Sequence, residues 1–185
     1  MGLNEDVGRR LRTLRQDLDV SLSELSRRSG VGKGTLSELE SGRRNPTLET
    51  LYALTTALGR PLSAVLGDPL PGGAPAGNRP GVSGSAVTAV LLERYEDGEA
   101  VTDVFRVTIR AGALQESEAH VPGTSESLMV LAGTAVVGRP GGLSTVGPGD
   151  SARWTADEPH VYSAPDGEVQ GVLFVRSPVA GEGRS

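Results

Sequence analysis

Two regimes of hydrophobic patterning divide the chain. From Val7 to Leu66 apolar residues recur every three or four positions; beyond Gly84 they come in short runs broken by Gly, Pro and Asp. In the first regime Val7, Leu11, Leu14 and Leu18 mark one face of a helix. Ser21-Leu-Ser-Glu24 has the form of a capping box, in which the serine takes the amide three residues on and the glutamate reaches back. It opens a second helix with Leu22 and Leu25 inward, which stops at Ser29-Gly30, where glycine accepts the left-handed conformation. A third helix is expected from about Lys33 to Ser41, with Leu36 and Leu39 buried. Asn45-Pro46-Thr47 begins a fourth, carrying Leu48, Leu51, Leu54 and Leu58, and a short fifth runs from Leu62 to Leu66.

In the second regime the β-rich runs are SAVTAVLLE, TDVFRVTIR, ESLMVLAG, TAVVG, SARWT, HVYSA and VQGVLFVR. Many short strands with such punctuation imply a sandwich or barrel. Between the regimes, GDPLPGGAPAGNRPGVSG offers almost nothing to bury and reads as a flexible tether. The expected organisation is an all-α domain at 1–67, a linker at 68–83, an all-β domain at 84–177 and a disordered tail at 178–185.

Composition narrows the class. The chain has 185 residues and no cysteine, which excludes a disulfide framework and a thiolate metal site. No apolar run approaches the roughly 20 residues that span a bilayer, and MGLNEDVGRRLR lacks the apolar core of a secretory signal, so a cytoplasmic protein without membrane partners is expected. The net charge of −5 is unevenly divided. Residues 1–67 hold ten Lys or Arg against eight Asp or Glu, the remainder eight against fifteen. Only the first part suits a polyanionic partner.

The short glycine turn between the second and third helices sets them at a steep angle, so that the third can enter a major groove. The Leu25 position, the Gly30-Val31 turn, Leu36-Ser37, Glu40-Ser41-Gly42 and Pro46 resemble the Xre/Cro-type helix–turn–helix family across residues 4–67. Leu22 departs from it where many members place a phosphate-bracing glutamine. On this reading Lys33, Thr35, Ser37 and Glu38 reach base edges, with Gly34 giving close approach. Arg43, Arg44 and Asn45 suit phosphate, beside the start of the fourth helix, and Arg9, Arg10 and Arg12 are candidates for the same stripe. The resemblance implies a two-fold dimer on a near-palindromic operator.

The β region from 84 to 177 resembles the cupin family of jelly-roll barrels, through Gly112, His120, Glu126 and Gly133 in one block and Gly142, Pro148-Gly149-Asp150 and His160 in a second. Many cupins hold a divalent metal with histidines and a glutamate. The resemblance implies His120, Glu126 and His160 as a two-His, one-carboxylate set for Fe, Zn, Mn or Ni. The pattern is altered: the paired histidines have become Glu118-Ala119-His120, and the gap from His120 to Glu126 is one residue longer. A slip of one residue in a strand turns a side chain to the other face, although a loop at Val121–Thr124 can absorb it, and Glu118 can stand in as an oxygen ligand. The competing reading is a small-molecule pocket lined by Arg106, His120, Glu126, Met129, Trp154, His160 and Tyr162, with Arg106 turned inward toward Glu126 or an anionic effector.

The combination predicts a DNA-binding transcriptional regulator whose barrel binds an effector, dimerises, or both. The alternative is a metal-dependent cupin oxygenase. The phosphonate epoxidase of fosfomycin biosynthesis has this two-part layout and an iron held by two histidines and a glutamate, for which His120, Glu126 and His160 would be the counterparts. The longer gap and the basic helix–turn–helix argue against an enzyme.

Overall fold

The computed structural model describes residues 3–67 and 81–179. Five helices come first: α1 (Leu3–Asp17), α2 (Leu22–Ser29), α3 (Lys33–Glu40), α4 (Leu48–Ala57) and α5 (Ser63–Leu66). Their sequence signals act as read, with two changes: Pro46 precedes the α4 cap rather than standing in its first turn, and the α2 box closes on one side only. Ser21 Oγ accepts the Glu24 amide at 3.1 Å, but the Glu24 carboxylate does not reach back. It pairs instead with Arg27 and Arg28 one turn on. Gly30 ends α2 with φ +71°, and Thr47 caps α4 through the Thr50 amide. Val7, Leu11, Leu25, Leu36, Leu39, Leu51 and Leu54 form the helical core. Arg15 ties it together. Its Nε and Nη2 meet both carboxylate oxygens of Glu40 at 2.6 and 2.8 Å, and Nη1 donates to the Val20 carbonyl. This fork joins the end of α1 to the end of α3, fixing α3 on its scaffold.

Ten strands follow: β1 (Gly81–Ser83), β2 (Val87–Glu96), β3 (Ala100–Ile109), β4 (Leu114–Ser117), β5 (Ser125–Ala132), β6 (Ala135–Gly138), β7 (Ser144–Val146), β8 (Ser151–Thr155), β9 (His160–Ser163) and β10 (Val169–Pro178). They form a six-stranded sheet, β1-β2-β3-β10-β5-β8, and a four-stranded sheet, β4-β9-β6-β7, with antiparallel neighbours throughout. This is the cupin-type double-sheet jelly roll that the sequence implies, following an all-α helix–turn–helix bundle. Three strands add to the sequence reading. β1 lies within the expected linker, while β4 and β7 are too short to show a period. The rest of the linker and most of the expected tail lie outside the described residues. Among the described residues no helix is long and apolar enough to cross a membrane.

The two units are packed together. α4 and α5 lie against β2, and one apolar cluster runs from the helical core into the barrel. Glu49 on α4 accepts the Ser85 amide at 2.6 Å. On β3 the inward series Ile109, Val107, Phe105 continues to Asp103, which is buried against Ser63 of α5. Burial pushes the Asp103 carboxyl up to about 6, against the opposing pull of Ser63 and Arg94. An acid whose folded value is raised favours the folded state when protonated. Its contribution is complete below about pH 4 and is lost as pH rises through about 6. Asp103→Asn is therefore expected to raise the melting temperature by several degrees at pH 7.5. The gap to the wild type should shrink between pH 6 and 4, as read by thermal unfolding across that range.

Candidate DNA interface and barrel centre

α3 presents one apolar face to the core, through Leu36 and Leu39, and one polar face to solvent. Lys33, Gly34, Ser37 and Glu38 are exposed and Thr35 is partly so. The following turn holds Arg43, Arg44 and Asn45, all exposed, immediately before the α4 cap at Thr47. Glu38 lies 3.3 Å from Arg44, and Asn45 bonds Asn4 of α1. The polar face of α3 and the arginine turn are thus adjacent and exposed. The α1 arginines separate. Arg12 is exposed, Arg9 pairs with Asp6, and Arg10 donates to the Leu66 carbonyl at 2.7 Å. Arg10 therefore ties α1 to α5, a structural role that the charge pattern did not reveal.

In the barrel, His120 leaves β4 on a loop and is anchored by its amide to the Ala156 carbonyl at 2.8 Å. The Val121–Thr124 segment absorbs the extra residue. His120 Nε2 consequently meets Glu126 Oε1 at 3.0 Å. Glu126 projects inward from β5, opposite Trp154 of β8, while His160 and Tyr162 project inward from β9. His160 Nε2 is 3.3 Å from Glu126 Oε2, and the Tyr162 hydroxyl donates to that same oxygen. The Trp154, His160 and Tyr162 rings meet edge-on or tilted at 5.6 to 6.2 Å. Glu126, His160 and Tyr162 are almost wholly enclosed.

The electrostatics follow from burial. Desolvation alone would push the Glu126 carboxyl up, but pairing with His120 and His160 outweighs it and holds the group well below the usual carboxylate range. Burial pulls the His160 imidazole down, and the Glu126 charge more than restores it. Burial, reinforced by Glu126, drives Tyr162 well above its ordinary value, so its phenol stays a proton donor.

The donor set suits a divalent ion. His120, Glu126 and His160 bring their ligand atoms within 4.8 Å of one another. His160 Nδ1 sits 2.9 Å from the Glu158 carbonyl, which places its proton there and leaves Nε2 bare in the neutral ring. That Nε2 is buried and makes no directed hydrogen bond, although it lies within ion-pairing distance of Glu126. A buried imidazole nitrogen without a directed hydrogen bond, beside a carboxylate and a second histidine, is compatible with ligating an ion.

The other sequence candidates divide by strand alternation. Arg106 lies exposed on the outer face, because Phe105 and Val107 take the inner one. Met129, 44% exposed, likewise alternates with the buried Leu128 and Val130. Glu118 points to solvent next to the buried Ser117, so it is not a substitute ligand. One wall residue comes from outside the barrel. Tyr52 of α4 stacks on His120 with centroids 4.0 Å apart and planes 13° from parallel. The only sequence signal for it was an aromatic residue off the leucine stripe of its helix.

Comparison with known proteins agrees with this architecture. The helix-turn-helix family HTH_3 matches residues 11–65. The chain is 29% identical over 152 residues to the HTH-type transcriptional regulator SutR of Escherichia coli, covering 82% of this chain and 83% of SutR. It is 38% identical over 99 residues to the transcriptional regulator ClgR of Mycobacterium tuberculosis, covering 49% of this chain and 88% of ClgR. The crystal structure of an HTH_3 family transcriptional regulator from Vibrio cholerae superposes with a TM-score of 0.77 at 22% identity, covering 96% of this chain and 98% of that one. That likeness extends the shared fold across both units. With the polar face of α3 exposed, an arginine turn beside it and regulators among its relatives, the chain belongs to the helix-turn-helix family of DNA-binding transcriptional regulators.

Proposed function

We propose that this regulator reads its operator with Lys33, Thr35, Ser37 and Glu38 of α3 and grips phosphate with Arg43, Arg44 and Asn45. The observation that supports it is the exposed polar face of α3 lying next to the arginine turn, while every leucine of α3 is buried. Arg43 and Arg44 flank the N-terminal end of α4, where the helix dipole also favours an anion. One helical unit offers too few contacts for a specific site, so two copies act on a near-palindromic operator. The outer face of the larger sheet, where Met129 and Leu131 are 44% and 58% exposed, is an apolar surface for the second copy. Operator binding places the protein in the cytoplasm.

The barrel is the sensor. His120, Glu126 and His160 would hold a divalent ion, which supplies a Lewis-acidic centre with free positions for an effector. Tyr162 fixes the Glu126 oxygen it donates to, and the Glu158 carbonyl fixes the His160 tautomer. The Trp154 indole N–H is buried without a partner and supplies a donor to an effector oxygen. The same three ligands would serve an iron oxygenase. Metal content and operator affinity of the purified protein separate the readings: stoichiometric iron with no DNA affinity would establish the enzyme.

Two outcomes are expected on this reading. Arg43→Ala weakens operator binding and reduces the slope of log K against log salt by about one. Ser37→Ala weakens binding with the slope unchanged. Fluorescence anisotropy over a salt series checks both, and an unaltered slope for Arg43→Ala removes Arg43 from the phosphate contacts. His160→Ala is expected to lose metal retention and effector response while keeping operator affinity. Metal analysis alongside the anisotropy titration tests this, with circular dichroism confirming that the barrel remains folded.

A further inference from the structure

The barrel centre is closed by the DNA-binding unit. Tyr52 lies flat on His120, and around this stack the crevice between the units is lined by Thr55, Thr56 and Arg60 from the helices and by Val121, Val175 and Ser177 from the barrel. The free space in it is about 10 Å³, room for at most one water. His120 is 6% exposed and His160 1%. A bare ion approaches His120 in the plane of its ring and leaves the stack intact. From this side an organic effector has no such route, because Tyr52 covers the ring face of His120.

We propose that Tyr52 is the gate of the sensor site. An effector enters by displacing Tyr52 from His120, and that displacement lifts α4 from the barrel. The gate is mechanical because of where α4 lies in the chain. Its N-terminal cap lies one residue beyond the Arg43–Asn45 turn, and its first two turns hold two contacts to the barrel, Glu49 to Ser85 and Tyr52 to His120. On the proposed gate, docking of α4 and entry of an effector past His120 are therefore mutually exclusive. By linkage an effector that favours the undocked form changes the placement of the DNA-binding unit, and DNA that favours one placement changes effector affinity. Arg60 at the lip of the crevice puts a cation where the gate opens.

This inference rests on the barrel centre being the sensor site, but its test needs neither metal nor effector. Diethyl pyrocarbonate modifies accessible imidazole nitrogens, and the chain has only two histidines. Modification of each is followed by peptide mass spectrometry in the full-length protein. His120 should react slowly in the wild type and roughly tenfold faster in Tyr52→Ala, because the rate reports how often its shelter opens. Tyr52→Phe keeps the ring and should match the wild type. A second arm leaves Tyr52 untouched. Glu49→Cys and Ser85→Cys, introduced into this cysteine-free chain, are joined by a short reducible bismaleimide. The joined protein should protect His120 further, and reduction should restore the unlinked rate. Equal His120 rates in the wild type and a folded Tyr52→Ala would overturn the gate. So would equal rates in the joined and reduced proteins, which decides the matter if Tyr52→Ala does not fold. Failure of the sensor reading appears elsewhere, as absence of both metal retention and effector response in the intact protein.

Discussion

The barrel is organised around one buried charge. Glu126 is 1% exposed, and a carboxylate so placed stays ionised only if its surroundings replace the water it has lost. His120 answers one oxygen, while His160 and Tyr162 converge on the other. These partners come from a loop and from β9 in the opposite sheet, so satisfying the charge holds the two sheets in register. The arrangement is asymmetric in a way that bears on function. Tyr162 and the His120 Nε2 are well directed, but the His160 Nε2 is near Glu126 without a proper hydrogen bond.

The helical unit obeys a similar economy at lower cost. The Arg15–Glu40 fork, the Arg10 tie to α5 and the buried leucines make α1, α3 and α5 one body. The side chains proposed to face DNA take no part in that scaffold. Lys33, Ser37 and Arg43 can therefore be replaced without disturbing the core, whereas Arg15 cannot: stripping one partner from a buried ion pair costs roughly 3–5 kcal/mol.

The helical unit was almost fully legible in the sequence, because a period of three to four with glycine and cap signals leaves little freedom. One misreading, the return arm of the capping box, arose because Arg27 and Arg28 offered Glu24 a charged partner in place of a backbone amide. The barrel was legible as a class and as a centre: the His120–Glu126 loop and the Pro-Gly-Asp turn before His160 bring together the residues they suggested. Its inner and outer faces were less so. In a strand such as DVFRVTI most positions are apolar, so alternation does not announce its phase, and Arg106 and Met129 were assigned to the wrong face. Strands of three or four residues, β4 and β7, carry no period at all. Tyr52 was invisible for a different reason. Its partner lies 68 positions on in another domain, and a helix read alone shows only which face its own unit buries.

That contact sets the scale of any signal between the units. An aromatic stack is worth about 0.5–1.5 kcal/mol beyond its buried area, and the hydrogen bond that the Ser85 amide donates to the Glu49 carboxylate about 1.5–3 kcal/mol. Both belong to α4. α4 also packs on β2 beside α5, so lifting it loosens apolar contacts in addition to these two. On the proposed gate an effector has to overcome a few kcal/mol. Ligands of micromolar affinity bind with about 8 kcal/mol, which leaves a surplus after the gate has opened. A much larger interface around Tyr52 would have locked the barrel shut, and a much smaller one would have left His120 open to water. The contact observed lies between these limits, where a metabolite at ordinary concentration can shift the population of a DNA-binding domain.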